Sequence, residues 1–149
     1  MKKYVIVLGI LLFAFASCED DDFCAEPTTP RLIIEFYDKE SPSDKKPLPM
    51  YVWADGKDSV YQLATLDSIL LPLDTQNTAT HYKIATTNII DDLNLTYTVS
   101  DVYVSESCGY IAEFNDFTVE TYTSNWIDRL EVNSTKVENE TETHIKIFH

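Results

Sequence analysis

The sequence predicts an all-β domain: an antiparallel two-layer β-sandwich of roughly seven to nine strands, immunoglobulin-like or transthyretin-like in general type. Three observations lead there. Short segments rich in β-branched and aromatic residues recur along the chain. Turn-forming residues separate them about every ten residues. After Cys18, no stretch of ten or so residues keeps a helical apolar period.

Arg31–Tyr37 is the first predicted strand. Met50–Ala54 and Ser59–Leu63 flank Asp55-Gly56-Lys57-Asp58, where Asp-Gly signals the tight turn of a hairpin. Ile69–Leu73 contains Pro72, which cannot donate to a ladder, so this strand belongs at an edge. His81–Thr86 sets Tyr82 and Ile84 on one face. Leu95–Ser100 alternates strictly, as a half-buried strand does. Val102 and Val104 then fall on the opposite parity, which implies a bulge or bend near Asp101. Ile111–Phe117 and Thr118–Tyr122 are weaker strands, and Trp126–Val132 and His144–Phe148 close the set. Asn77–Thr80, Asn88–Asn94 and Asn133–Thr141 read as polar loops.

Composition narrows the function classes. The 149 residues leave room for one domain, with no internal repeat. Acidic residues number 25 against 11 basic ones, a net charge of −14. Nucleic-acid binding through phosphates needs a basic surface, so no nucleic-acid partner is expected. With 3 glycines in all, phosphate-cradling glycine loops are excluded. No apolar run reaches the roughly 20 residues that span a bilayer.

The first residues form a secretory leader. Lys2 and Lys3 give a basic start, Tyr4 to Phe15 is apolar, and the small residues Ala16 and Ser17 precede Cys18. Two cleavage readings stand. Phe15-Ala16-Ser17-Cys18 resembles the lipobox of bacterial lipoproteins, with Phe15 where an aliphatic residue is usual. Ala14-Phe15-Ala16 also fits an ordinary cut before Ser17. Cysteine parity favours the first: lipidation of Cys18 leaves Cys24 and Cys108 as an even pair, for which a disulfide is the default in an oxidising envelope. Residues 1–17 are then the leader, 18–30 a tether stiffened by Pro27-Thr28-Thr29-Pro30, and 31–149 the sandwich. A bridge would clip the tether to the Val102–Tyr110 region. More than one acyl chain on Cys18 would hold the protein at a membrane, at about 0.8 kcal/mol per buried methylene.

Glu19, Asp20, Asp21 and Asp22 follow directly. They read either as a solvated spacer or as an address, since acids behind the lipidated cysteine resemble the surface-export signal of Bacteroidota lipoproteins. A calcium loop is not indicated, because the acids lack alternating spacing and a turn glycine. No metal or other cofactor is expected.

Several stretches match together: Cys18-Glu-Asp-Asp-Asp-Phe-Cys24, Thr29-Pro-Arg-Leu-Ile-Ile-Glu-Phe-Tyr-Asp38, Val102-Tyr-Val-Ser-Glu-Ser-Cys-Gly-Tyr110 and Asn139-Glu-Thr-Glu-Thr-His-Ile-Lys-Ile-Phe148. This set resembles a family of small Bacteroidota lipoproteins, a domain of unknown function of the DUF6452 type. The resemblance implies a small cell-envelope lipoprotein and brings no known activity; with the lipid anchor and the acidic address, the expected location is the outer membrane, facing the cell surface.

The chemistry-bearing motifs are few. G-x-S-x-G, H-E-x-x-H and C-x-x-C are absent. Of the three histidines, His81 and His144 fall in predicted strands and read as solvent-facing. No catalytic residue is assigned. Tyr51 and Trp53 share one face of a predicted strand, with Tyr61 across the turn and Trp126 elsewhere. Large aromatics most simply fill a sandwich core; exposed, Tyr51 and Trp53 would stack sugar rings. Asp58-Ser59-Val60 and Asp67-Ser68-Ile69 resemble the O-glycosylation sites of Bacteroidota envelope proteins, with Ser59 and Ser68 as acceptors. The expectation is a non-enzymatic binding or accessory module, held to a membrane through its lipid, with a protein or glycan partner. A hydrolase with an unmarked site and a purely structural surface protein are the alternatives.

Overall fold

The computed structural model describes Cys24 and residues 28–149. Cys18 and the acidic run Glu19–Asp22 lie outside the described residues. Among the described residues nine strands form: β1 (Leu32–Tyr37), β2 (Leu48–Ala54), β3 (Ser59–Leu66), β4 (Ser68–Leu71), β5 (Ala79–Thr86), β6 (Ile89–Ser105), β7 (Gly109–Tyr122), β8 (Arg129–Val132) and β9 (Ile145–Phe148). They make two sheets, a four-stranded one ordered β4-β1-β9-β8 and a five-stranded one ordered β3-β2-β5-β6-β7. The sandwich is all-β, as the period-2 pattern predicts. One pairing departs from the antiparallel rule: β1 and β9 run parallel, with Ile34 opposite Ile145.

Alternation builds the core. Leu32, Ile34 and Phe36 of β1, Met50 and Val52 of β2, Ile69 and Leu71 of β4, and Tyr82 and Ile84 of β5 all point inward, as do Leu93, Leu95 and Tyr97 of β6. Phe114, Phe117, Ile145 and Ile147 complete the packing. Each such side chain contributes about 1.5–3 kcal/mol of burial. The loop over residues 133–141 is polar as expected, yet it lays Val137 into the core and pairs it with Phe114 on the outer edge of β7.

A corner joins the two sheets. A single residue, Asp67, separates β3 from β4, and its carbonyl accepts from Phe36 N at 2.9 Å. Tyr61 reaches across this corner. Its hydroxyl accepts from Leu70 N at 3.0 Å and donates to Leu70 O at 3.3 Å. β4 is an edge strand, as Pro72 foretold, and Tyr61 satisfies the backbone N–H and C=O of Leu70 on that edge.

The sequence reading is corrected at three places. Asn88–Asn94 is not a loop. Thr87 and Asn88 alone turn the chain, Thr87 with φ 55°, and β6 begins at Ile89. No bulge lies at Asp101, because pairing runs unbroken from Thr98 to Tyr103 and the register shifts fall elsewhere. The parity change there has another cause. The β6–β7 hairpin outruns the other strands, and beyond the sandwich neither of its faces must be apolar. Finally, β8 starts at Arg129, while Trp126 and Ile127 lie in the loop before it.

Candidate functional site

A shallow groove of about 700 Å³ opens on the outer face of the five-stranded sheet. The alternation that buries Met50 and Val52 turns Tyr51 and Trp53 the other way. Tyr51 is 40% exposed and Trp53 half-buried. The core reading of these two is therefore corrected: they face outward side by side. Ala85 lies opposite Tyr51 and Lys83 opposite Trp53 on β5, and the short Ala85 side chain leaves room over the floor. The Asp-Gly turn places Lys57 and Asp58 at the rim, with Gly56 at φ 70° and Lys57 N donating to Ala54 O at 3.1 Å. Ser59 and Gln62 of β3 complete the lining. The result is two aromatic faces ringed by a hydroxyl, an amide, an ammonium and a carboxylate.

Tyr61 and Trp126 do not join this face. Tyr61 points inward to the β4 corner. Trp126 packs near Phe36 and His149, at 6.3 and 6.0 Å between ring centroids, and its Nε1 donates to Ile84 O at 3.1 Å. Ser59 is half-buried in the groove wall. Ser68, also half-buried, donates to Asp67 Oδ1 at 3.2 Å.

Beside the groove stands a charged cluster. His81 Nδ1 meets Asp55 Oδ2 at 2.7 Å and His81 Nε2 meets Asp92 Oδ1 at 3.0 Å. Lys83 Nζ lies 2.6 Å from Asp92 and 3.8 Å from Asp55. The bond from Lys83 holds the Asp92 carboxyl below its ordinary range, and Asp92 in turn raises Lys83. A second hollow of about 530 Å³, on the far side of the turn, brings His81 together with Asp55, Asp58 and Asp74.

His144 is buried, not solvent-facing as its predicted strand suggested. Its Nδ1 accepts from Ile33 N at 2.9 Å, which requires a neutral ring. Burial lowers its pKa, against the opposing pull of Glu142 and Glu140. His149 Nε2 donates to Lys46 O at 3.0 Å.

Cys24 and Cys108 stand at disulfide distance, with Cα atoms 4.9 Å apart. Cys108 lies in the turn between β6 and β7, at the tip of their hairpin. Nearby, Tyr103 and Tyr110 pair across the strands at 5.4 Å between centroids, 58% and 68% exposed.

Sequence reasoning missed Asp91. It is fully buried and accepts from Thr123 Oγ1 and from the backbone N–H groups of Asn125, Trp126 and Ile127, at 2.7 to 2.9 Å. Burial alone would raise its pKa, but these donors outweigh burial and hold it low. Its role is structural: it pins the loop that seats Trp126 under the sheet bearing the groove.

Among known families, the model described as "Family of unknown function (DUF6452)" matches residues 49–149, which takes in both aromatic groove residues and Cys108. No curated protein and no solved structure matches the chain.

Proposed function

We propose that this chain, which belongs to the DUF6452 family of unknown function, is a non-enzymatic binding module of the bacterial cell envelope. In this reading lipid on Cys18 anchors it to the outer membrane, Glu19–Asp22 direct it to the cell surface as in Bacteroidota lipoproteins, and the groove takes a glycan. The observation behind it is the outward pair Tyr51 and Trp53 over an open, polar-rimmed floor. Sugar rings present apolar C–H faces that stack on aromatics and hydroxyls that need donors and acceptors nearby. Gln62, Ser59, Lys57 and Asp58 supply both. The net charge of −14 disfavours polyanions, which makes a neutral glycan the better partner. An open groove with two stacking contacts fits a Kd of about 0.1–1 mM.

Titration with neutral oligosaccharides tests this, followed by tryptophan fluorescence for the native protein and Tyr51→Ala and by calorimetry for all three proteins, since Trp53→Ala removes the fluorescent reporter of the groove. Trp53→Ala and Tyr51→Ala should each weaken binding about tenfold, at roughly 1.4 kcal/mol per lost stacking face. A response that survives both substitutions, or none with any glycan, removes the reading. Anchoring is tested separately. Cells grown with labelled palmitate should yield labelled protein that stays in the membrane until detergent is added.

A hydrolase is the second reading, and the hollow holding His81 and three aspartates is what favours it. Yet carboxylates occupy both His81 ring nitrogens, leaving neither free to take a nucleophile's proton. The contact geometry suits a structural ion cluster better than a general base. Hydrolysis of any glycan that stops in His81→Ala would reverse that judgement.

A further inference from the structure

We infer that a doubled residue in β3 makes the Tyr51 end of the groove a site for the acetamido group of an N-acetylated sugar, with Gln62 taking its amide and Leu63 its methyl. This deepens the glycan reading above and rests on it.

Two β-bulges shape the groove wall. Directly opposed residues of paired strands share a face. Met50 and Val52 are buried, so Ala64 opposite Met50 and Tyr61 opposite Val52 face inward. Between these two positions β2 has one residue, Tyr51, and β3 has two, Gln62 and Leu63. Both are exposed, Leu63 at 63%. A second extra residue, Val60, falls between Ser59, which is opposite Trp53, and Tyr61. Strict alternation would send Ser59 and Gln62 to opposite faces; with Val60 inserted, both line the groove. Leu63 itself has φ 50°, in the left-handed region that a bulky side chain rarely adopts. So exposed a residue gains little burial to offset that strain, and packing does not account for its placement.

The register sorts the outer face into two rows. Ser59, Trp53, Lys83 and Asp92 lie side by side across four strands, and this row carries charge. Leu63, Tyr51, Ala85 and Ile90 form the row beside it, with Gln62 as its polar group. A sugar stacked on Tyr51 therefore meets apolar neighbours on both sides. A plain hexose would set hydroxyls against Leu63 and Ala85, where no side chain bonds them. An acetamido group matches instead. The Gln62 amide holds a donor and an acceptor, as the acetamide C=O and N–H require, and the methyl covers apolar surface at Leu63. A deoxy or methylated sugar would use Leu63 and leave Gln62 without a role.

Calorimetry on the full chain compares tri-N-acetylchitotriose with cellotriose, which shares its β-1,4 backbone and carries hydroxyls in place of the acetamido groups. The acetylated ligand should bind about tenfold more tightly, the effect of one covered methyl and one paired amide. Leu63→Gly, which suits the left-handed backbone, and Gln62→Ala should each cut that ratio to roughly threefold or less. Leu63→Met, which keeps an apolar side chain, should preserve it. Comparable binding of the two trisaccharides overturns the inference and leaves the glycan reading standing, as does a preference that survives both Leu63→Gly and Gln62→Ala. If neither trisaccharide binds but another neutral oligosaccharide does, the inference again falls alone. If no neutral oligosaccharide binds, both fall.

Discussion

A carboxylate with no solvent exposure keeps its charge only if donors replace the water it has lost. Asp91 has four, three of them consecutive backbone N–H groups on a loop with no strand of its own. Asp91→Ala leaves those donors facing an empty apolar site, and we expect a loss of about 3–5 kcal/mol in urea unfolding. Asp91→Asn should fall between, since its amide nitrogen cannot accept. His144 makes the opposite demand, for neutrality. Its pKa is lowered on folding, so the unfolded chain binds the extra proton. Its contribution is complete above the ordinary imidazole value of 6.5 and is lost as pH falls through the folded value. The thermal midpoint should therefore drop between pH 7 and pH 5. His144→Asn, which keeps an acceptor for Ile33 N but cannot titrate there, should flatten that drop. An equal slope in both proteins would show that other groups set it.

At the level of elements, alternation made β1, β2, β5 and β9 legible because each has one buried face. It failed at β6. Ile89-Ile90-Asp91-Asp92 looks like a polar turn, because a buried aspartate reads as a surface one until the loop that satisfies it is in view. The site was half legible. Tyr51 and Trp53 share a face by parity, but Met50 and Val52 beside them are equally apolar, so either face of β2 could have been the inner one. Partner strands decide that, and the sequence of β2 does not contain them. The cysteine pair was legible from parity alone. It closes a separation of 84 residues, for which chain entropy predicts about 4–5 kcal/mol. Reduced protein, or the Cys24→Ser and Cys108→Ser pair, should unfold at a clearly lower temperature than the oxidised form. Coincident melts would mean that the β6–β7 hairpin and tether are already ordered without the bond, or remain unlinked in solution.

The whole molecule is closed late in its own sequence. β9 fits between β1 and β8, pairing Ile34 with Ile145 more than a hundred residues away, and the four-stranded sheet has no centre without it. The C-terminal residue is tied in as well: His149 N donates to Tyr37 O, and Lys39 N donates to His149 O. Such long-range pairing makes folding slow and leaves apolar edges open until the end. It also concentrates stability at the terminus. Ile145, Ile147 and Phe148 are buried, and at about 2 kcal/mol each their loss approaches the whole stability of a domain of this size. A chain ended after His144 should therefore lack cooperative unfolding by circular dichroism and be degraded by protease at rates typical of an unfolded chain. Removal of residues 1–23 touches no described contact and should leave the melt within a few degrees of the full chain. If instead the C-terminal truncation melts cooperatively, β1 and β8 close directly on each other and the parallel pairing is dispensable.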